Sequence, residues 1–256
     1  MDNYSPRIVL LGSGNVATSL GQAWERNGAA IVGFCNRKGE IPAGFSTQDV
    51  PCFNHPSSID VEADFALVAV RDEYVFSSIE ALPSQLTPVH FSGAQSNPQN
   101  GGVIWPAQSI QLNDPEAIKK VPLVVTASDG VQLERITSLA QLISPIIHPT
   151  DAEKRMKGHL AAVFAVNFTN HAFAIAQRLA ADADLDWDWF VPMIEATCIG
   201  AVDQKSEARQ TGPGIRREEA VLSAQIQALQ AHSPWREFYE AATHSIQNMH
   251  KTQNHE

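Results

Sequence analysis

Three small residues at a fixed spacing, Gly12-x-Gly14-x-x-Ala17, have the types and order needed to hold a pyrophosphate. Gly12 permits a tight turn, Gly14 has no Cβ to keep the backbone from the phosphates, and Ala17 lets a helix pack closely on a strand. The apolar run 8–11 before them is short enough for one buried strand, and helical spacing begins after them. The start of that helix would offer free N–H groups to an anion. We therefore predict a dinucleotide-binding turn, with a glycine turn that binds nothing as the alternative. Its residues are Gly12, Ser13, Gly14, Asn15, Val16 and Ala17.

The end of the second predicted strand, residues 29–35, indicates which dinucleotide binds. A site for NAD commonly has an acidic residue here, about 20 residues beyond the glycines, to hold the ribose hydroxyls. This chain instead has Asn36, Arg37 and Lys38. The fork of Arg37 can bind a 2′-phosphate through two hydrogen bonds, and Lys38 adds positive charge. The turn therefore favours NADP, with a solvated basic turn as the alternative.

Polar and small residues follow the next predicted strands, 65–70, 88–91 and 103–105. In a doubly wound sheet, ligands bind outside the carboxyl ends of the strands. We expect the first two pairs of residues to contact the cofactor and the third to contact the substrate, although each could be an ordinary loop. The pairs are Val70 and Arg71, Ser92 and Gly93, and Gln108 and Ser109.

The chain changes character near residue 150. Strand patterns alternate with helical patterns up to that point, which predicts an α/β fold with a doubly wound, mostly parallel Rossmann sheet over residues 1–149. Further strands are expected at 123–126 and 145–147, with a helix over about 131–143 between them. Residues 150–256 show no strand signal and predict an all-helical domain for substrate binding and dimerisation.

Composition excludes several classes of function. The net charge is −10, and the sequence contains no basic patch, so we do not expect nucleic acid as a partner. No apolar stretch approaches the roughly 20 residues of a membrane span, and we expect no signal peptide. No metal site is predicted, since the acidic run 182–188 lacks the glycine and glutamate of a calcium loop. Three well-separated cysteines fit a reducing cytoplasm.

Four polar residues in the helical half are candidates for substrate contacts. In a regular α-helix, His159 and Asn170 would share a face about 16 Å apart along the axis, with Asn167 near its edge. Polar groups on an apolar helix must find partners, either within the core or on a substrate. Arg216, after the break at 211–214, would suit an anionic group but could equally form a structural ion pair.

The glycine turn 12–17 and four further stretches together resemble one known family: 90–93 (HFSG), 106–109 (PAQS), 159–171 (HLAAVFAVNFTNH) and 211–216 (TGPGIR). It is the Rossmann-like NADP-oxidoreductase family whose all-helical C-terminal half is called domain of unknown function 2520. That family is similar to pyrroline-5-carboxylate reductase and 6-phosphogluconate dehydrogenase. The resemblance implies an NADP(H) cofactor and a helical domain that forms a homodimer and completes the active site.

The expected activity is hydride transfer between NADP(H) and a small C=O or C=N substrate. His159 is the predicted proton donor, because an imidazole exchanges protons near neutral pH. It could instead bond a backbone carbonyl, in which case Ser92 or a bound water would be the donor. Asn170 would orient a more distant group. The alternative function is a non-catalytic sensor that binds NADP(H) without turnover.

Overall fold

The computed structural model describes residues 5–110 and 117–250. The chain forms two compact units, the first ending at Asn167 and the second beginning at Phe168. Within its described residues, the first unit contains a sheet of eight strands. These are β1 (Arg7–Leu11), β2 (Ala30–Cys35), β3 (Cys52–Phe53), β4 (Phe65–Val68), β5 (Thr87–His90), β6 (Gly102–Pro106), β7 (Leu123–Ala127) and β8 (Ile147–Pro149).

The strand order is β3-β2-β1-β4-β5-β6-β7-β8, and only β6 and β7 pair antiparallel. Strands β1 to β6 are parallel, so their carboxyl ends lie along one edge. The order reverses between β1 and β4, which is where doubly wound sheets bind their ligands. The predicted doubly wound, mostly parallel sheet is therefore confirmed. Strand β3 was not predicted, because two residues carry no detectable alternation.

The α-helices between the strands are α1 (Asn15–Arg26), α2 (Val75–Glu80) and α3 (Gly130–Gln141) in the part of the chain that the structure describes. Helix α1 buries Leu20 and Trp24 completely, as its apolar spacing predicts. The indole Nε1 of Trp24 donates a 2.8 Å hydrogen bond to the carbonyl oxygen of Leu139, near the end of α3. This bond satisfies the only polar atom of a fully buried side chain and joins the last turn of α1 to the last turn of α3.

The helix that leaves the sheet is long and irregular. It begins as α4 (Ala152–Ala162), passes through a π-helical segment (Val163–Phe168) and continues as α5 (Thr169–Asp182). Helix α4 packs against β7. The compact units therefore divide at Asn167, later than the domain boundary that we predicted at residue 149.

The same helix changes two inferences made from the sequence. Over Ala152–Asp182 it is long and apolar enough, by length and composition, to cross a membrane, although no apolar run of that length was recognised in the sequence. A helix covered by another protein surface has the same properties. The π-helical turns also break the 3.6-residue period, so the argument that places His159 and Asn170 on one face does not apply.

In the described residues of the second unit, all regular secondary structure is helical. Besides α5 it contains α6 (Val191–Val202), α7 (Pro213–Arg216), α8 (Glu219–Ala228) and α9 (Ser233–Met249). Many large apolar side chains in this unit are exposed, with Trp189 at 65% and Val202 at 82%. A surface of this kind in a single chain indicates an interaction site.

Candidate active site

The turn between β1 and α1 requires glycine at position 12. Gly12 has φ +108°, and a Cβ there would lie 2.2 Å from the carbonyl oxygen of Ala69. The Gly12 N–H donates to the carbonyl of Cys35 at 2.8 Å, which fixes the turn over the end of β2. Ala17 is fully buried beneath the turn. Both residues thus have the packing roles that the sequence predicts for them.

Gly14 differs from Gly12 because the space beside its Cα, where a side chain would lie, is open. No heavy atom lies within 4 Å of the position its Cβ would take, and its φ of −81° is available to any residue. Gly14 is the N-cap of α1, and no side chain caps this helix end. The turn therefore presents an open stretch of backbone at a helix N-terminus, which fits the pyrophosphate of a dinucleotide. Ser13 and Asn15 flank it and are exposed, and Val16 is half-buried.

The turn after β2 is built by Asn36. Its Oδ1 accepts from the Lys38 N–H at 3.1 Å, and its Nδ2 donates to the Glu40 carbonyl at 2.6 Å. Asn36 thus shapes the turn, while Arg37 and Lys38 stand exposed upon it. Neither cation forms a salt bridge with the described part of the chain. This places two positive side chains at the strand end where a ribose 2′-phosphate would lie.

The residues after β4 and β6 are less informative. Val70 is half-buried, whereas Arg71 is exposed and forms a 3.1 Å salt bridge with Glu73. The Arg71 guanidinium also lies 5.7 Å from the centre of the Tyr74 ring. Gln108 and Ser109 are exposed after β6. All four residues lie at the carboxyl edge of the sheet, as the parallel strands require.

The hydroxyl of Ser92, after β5, already forms three hydrogen bonds within the protein and is therefore not free to donate a proton to a substrate. Its Oγ donates to Asp72 at 2.8 Å and accepts from the N–H groups of Ala94 and Gln95, both at 3.2 Å. Ser92 therefore shapes the loop 92–97, and this geometry favours His159 over Ser92 as a proton donor. Asp72 belongs to this network, and its hydrogen bond to Ser92 was not predicted from the sequence.

His90 at the end of β5 is fully buried, and both of its ring nitrogens have hydrogen-bond partners. Its Nε2 lies 2.9 Å from the Ser96 carbonyl oxygen, and its Nδ1 accepts from the Ser92 N–H at 3.2 Å. Burial, with a smaller contribution from the nearby Arg155 cation, lowers the pKa of His90 to about 4. His90 is thus a neutral structural histidine that holds both ends of the loop.

His159 on α4 packs directly on the same loop. A Cβ on Gly93 would lie 2.4 Å from His159 Cδ2 and 2.9 Å from Trp105 Cε2. The Trp105 and His159 rings meet edge to face, with their centres 5.6 Å apart. Only glycine at position 93 allows this approach. The imidazole is half-buried beside the carboxyl ends of β5 and β6, where a nicotinamide ring would be expected.

Arg155, four residues before His159, contributes most to the loop and was missed in the sequence. It is 1% exposed, and burial lowers the pKa of its guanidinium. Its Nη1 donates to the carbonyls of Ser92 (2.9 Å) and Gly93 (2.7 Å). The one available signal was its spacing from His159, which places both on one helix face. A charge at the start of a helix is ordinarily solvated, so that signal is weak.

The remaining predicted residues belong to other parts of the chain. Asn167 is exposed in the π-helical segment at the end of the first unit, and Asn170 is exposed in α5. Arg216 forms a two-point ion pair with Glu218, at 2.8 and 3.1 Å. This contact raises the pKa of Arg216 and lowers that of Glu218. Of the two roles considered for Arg216, the structure shows the ion pair.

Comparison with known families gives an independent result for the C-terminal part. Residues 121–246 match the family described as Domain of unknown function (DUF2520). This segment, just under half of the chain, is therefore similar to DUF2520. The resemblance inferred from the sequence motifs is therefore confirmed. A search of curated proteins finds no match.

Solved structures resemble the chain over nearly its whole length. A candidate NADP oxidoreductase from Bacteroides fragilis is 27% identical, with a TM-score of 0.78, covering 95% of this chain and 98% of that one. A reductive aminase from Aspergillus terreus, in complex with NADPH and ethyl-5-oxohexanoate, is 12% identical, with a TM-score of 0.68 and coverages of 96% and 98%. An imine reductase from Myxococcus stipitatus, in complex with NADP⁺, is 14% identical, with a TM-score of 0.63 and coverages of 95% and 92%. The last two share the fold of this chain.

Proposed function

We propose that this protein is an NADP-dependent oxidoreductase. The observation that carries the proposal is the open backbone at Gly14, which lies at a helix N-terminus where the strand order reverses. The adjacent end of β2 has Arg37 and Lys38 where an acidic residue would bind NAD. The likeness to a candidate NADP oxidoreductase at 27% identity supports the same cofactor.

The chain's own residues would divide the work of holding that cofactor. The backbone at Ser13 and Gly14 would receive the pyrophosphate, and Arg37 would bind the 2′-phosphate through its guanidinium fork. The loop 92–97, Trp105 and His159 would form the wall beside the nicotinamide. When bound, the cofactor supplies or accepts the hydride, while the protein orients the substrate and moves a proton.

We propose that His159 is the proton donor. It is the half-buried titratable side chain packed against Gly93, whereas Ser92 is committed to Asp72 and to the loop. The substrate would be a small molecule with a C=O or C=N bond. Asn170, Gln108 and Ser109 stay candidates for substrate contacts. The structural likeness to imine reductases and reductive aminases is compatible with a C=N substrate.

We also propose a homodimer formed through the helical part of the chain, residues 150–256. The stretch 160–168 exposes Leu160 at 58%, Phe164 at 63% and Val166 at 54%. Leaving such side chains in water costs roughly 25 cal/mol for each Å² of apolar surface, so covering them with a second copy would be favourable. A dimer would also explain why a helix with the composition of a membrane span occurs in this chain.

Turnover by NADPH-loaded protein against a panel of small oxo acids, ketones and cyclic imines tests the proposal. We expect at least one compound to accelerate NADPH oxidation, and we expect His159→Gln to lower that rate about 10²-fold or more. NADPH that binds tightly but is retained against the entire panel would support the sensor function instead. Protein that binds no NADPH would refute both functions.

A further inference from the structure

A single buried arginine holds the loop 92–97 in shape. The Arg155 guanidinium has five N–H donors, and each lies near an acceptor. Besides the Ser92 and Gly93 carbonyls, its Nη2 donates to the Gln95 carbonyl and lies 3.5 Å from Asn97 Oδ1. Its Nε donates to Thr126 Oγ1 on β7 at 3.1 Å. Most of these acceptors are on the loop, so the loop is curled around the guanidinium.

Backbone oxygens take the place of a carboxylate in this arrangement. No acidic side chain in the described residues forms a salt bridge with Arg155. A buried cation must be solvated by dipoles when it lacks a counter-ion, and here the carbonyls of three loop residues supply them. The backbone orientation of the loop and the position of the cation therefore depend on one another.

The same helix face contacts the loop a second time. His159 lies four residues after Arg155 on α4, and its ring packs against the Cα of Gly93. One turn of α4 thus holds the loop twice. Arg155 forms hydrogen bonds with the loop, and His159, the proposed proton donor, packs against Gly93. Movement of the loop would change the distance between Gly93 and His159.

We propose that Arg155 is a positioning residue that sets the loop 92–97 and His159 at the nicotinamide end of the site. This inference rests on the proposed NADP-dependent function. Arg155 acts through the loop and does not touch the cofactor itself. It follows that Arg155 matters for the nicotinamide half of NADPH and not for the adenosine half, which would bind at Gly14 and Arg37.

Two ligands separate these halves. Adenosine 2′,5′-bisphosphate carries the 2′-phosphate and adenosine but no nicotinamide, whereas NADPH carries all three. The test is the ratio of their dissociation constants in wild type and in Arg155→Lys. Lysine keeps the charge but has three donors on one atom, so it cannot bond all five acceptors that surround the Arg155 guanidinium. We expect NADPH binding to weaken about tenfold, equivalent to one or two lost hydrogen bonds, and bisphosphate binding to stay within about twofold.

Arg135→Lys is the matched control. Arg135 donates to Thr87 Oγ1 at 3.1 Å, at the opposite end of β5, so its replacement should leave both constants unchanged. If Arg155→Lys does not fold, Thr126→Val removes the Nε acceptor at nearly constant volume and should shift the same ratio by about two- to threefold. Hydrogen exchange at residues 92–97 should also accelerate in either variant.

The outcomes separate the two proposals. An unchanged ratio in the folded variants, or equal weakening of both ligands, would overturn the role of Arg155. Wild-type protein that binds neither ligand would refute the proposed function, while hydrogen exchange at residues 92–97 would still test the hold of Arg155 on the loop.

Discussion

Two glycines in one turn should respond in opposite ways to the same substitution. Gly12→Ala places a Cβ 2.2 Å from the Ala69 carbonyl oxygen, at a φ of +108°. The backbone conformation costs about 1–2 kcal/mol for a residue with a side chain, and moving the clashing backbone adds about 1–3 kcal/mol. We therefore expect the free energy of unfolding to fall by about 2–5 kcal/mol, a large share of a typical 5–15 kcal/mol.

Gly14→Ala should leave stability nearly unchanged. The new Cβ meets no atom within 4 Å, and the backbone angles suit alanine. Alanine is a poorer N-cap than glycine, but it also reduces the entropy of the unfolded chain, and these opposing effects are each about 1 kcal/mol or less. The Cβ would, however, occupy the space through which the pyrophosphate approaches the backbone. We expect NADPH affinity to fall at least about tenfold.

Urea unfolding and fluorescence titration with NADPH measure the two effects on the same pair of variants. Each variant serves as the control for the other, since both change glycine to alanine within three residues. Gly14→Ala protein with wild-type affinity would show that the pyrophosphate does not meet the backbone there. Gly12→Ala protein with wild-type stability would show that the turn relaxes without cost.

Three further predictions concern the proton donor, the buried histidine and the dimer. His159→Gln should lower turnover about 10²-fold or more while sparing NADPH affinity and the melting temperature; lost stability with normal turnover would make His159 structural. Burial lowers the pKa of His90 to about 4, so the folded state disfavours its protonation. The contribution of neutral His90 to the free energy of unfolding is therefore fully present above about pH 6.5 and is lost as the pH falls toward 4. Urea unfolding should therefore show about 2 kcal/mol less stability at pH 5 than at pH 7 from this group alone, a difference that His90→Gln should remove. Light scattering at micromolar concentration should give a dimer for wild type and a monomer for Phe164→Glu; a monomeric wild type would contradict the proposed interface.

Much of the fold could be predicted from local pattern. The strands of the first unit are short apolar runs with few alternatives, and the glycine turn combines strand, small residues and helix in the required order. Strand β3 was beyond reach because Cys52 and Phe53 are too few to show a period. The π-helical segment was also invisible, since its composition is that of an ordinary apolar helix. For this reason the angular relation of His159 to Asn170 could not be predicted.

The nicotinamide end of the site was harder to predict than the phosphate end. Phosphate binding depends on residues within one short segment, whereas loop 92–97 depends on Arg155, which follows about 60 residues later. A buried arginine solvated by backbone carbonyls leaves no complementary acidic residue for the sequence to reveal. The partner of Ser92 at Asp72 was hidden for the same reason, because only the parallel sheet brings the ends of β4 and β5 together.

The dissociation constants of NADPH and NADH, measured side by side by calorimetry, test the central claim most directly. A 2′-phosphate bound by Arg37 gains charge-assisted hydrogen bonds of about 1.5–3 kcal/mol, so NADPH should bind at least about tenfold more tightly. Arg37→Asp should remove the preference, because a carboxylate repels the phosphate and can accept from the ribose hydroxyls. Equal constants for the two cofactors in the unaltered protein, or no binding of either, would contradict the account.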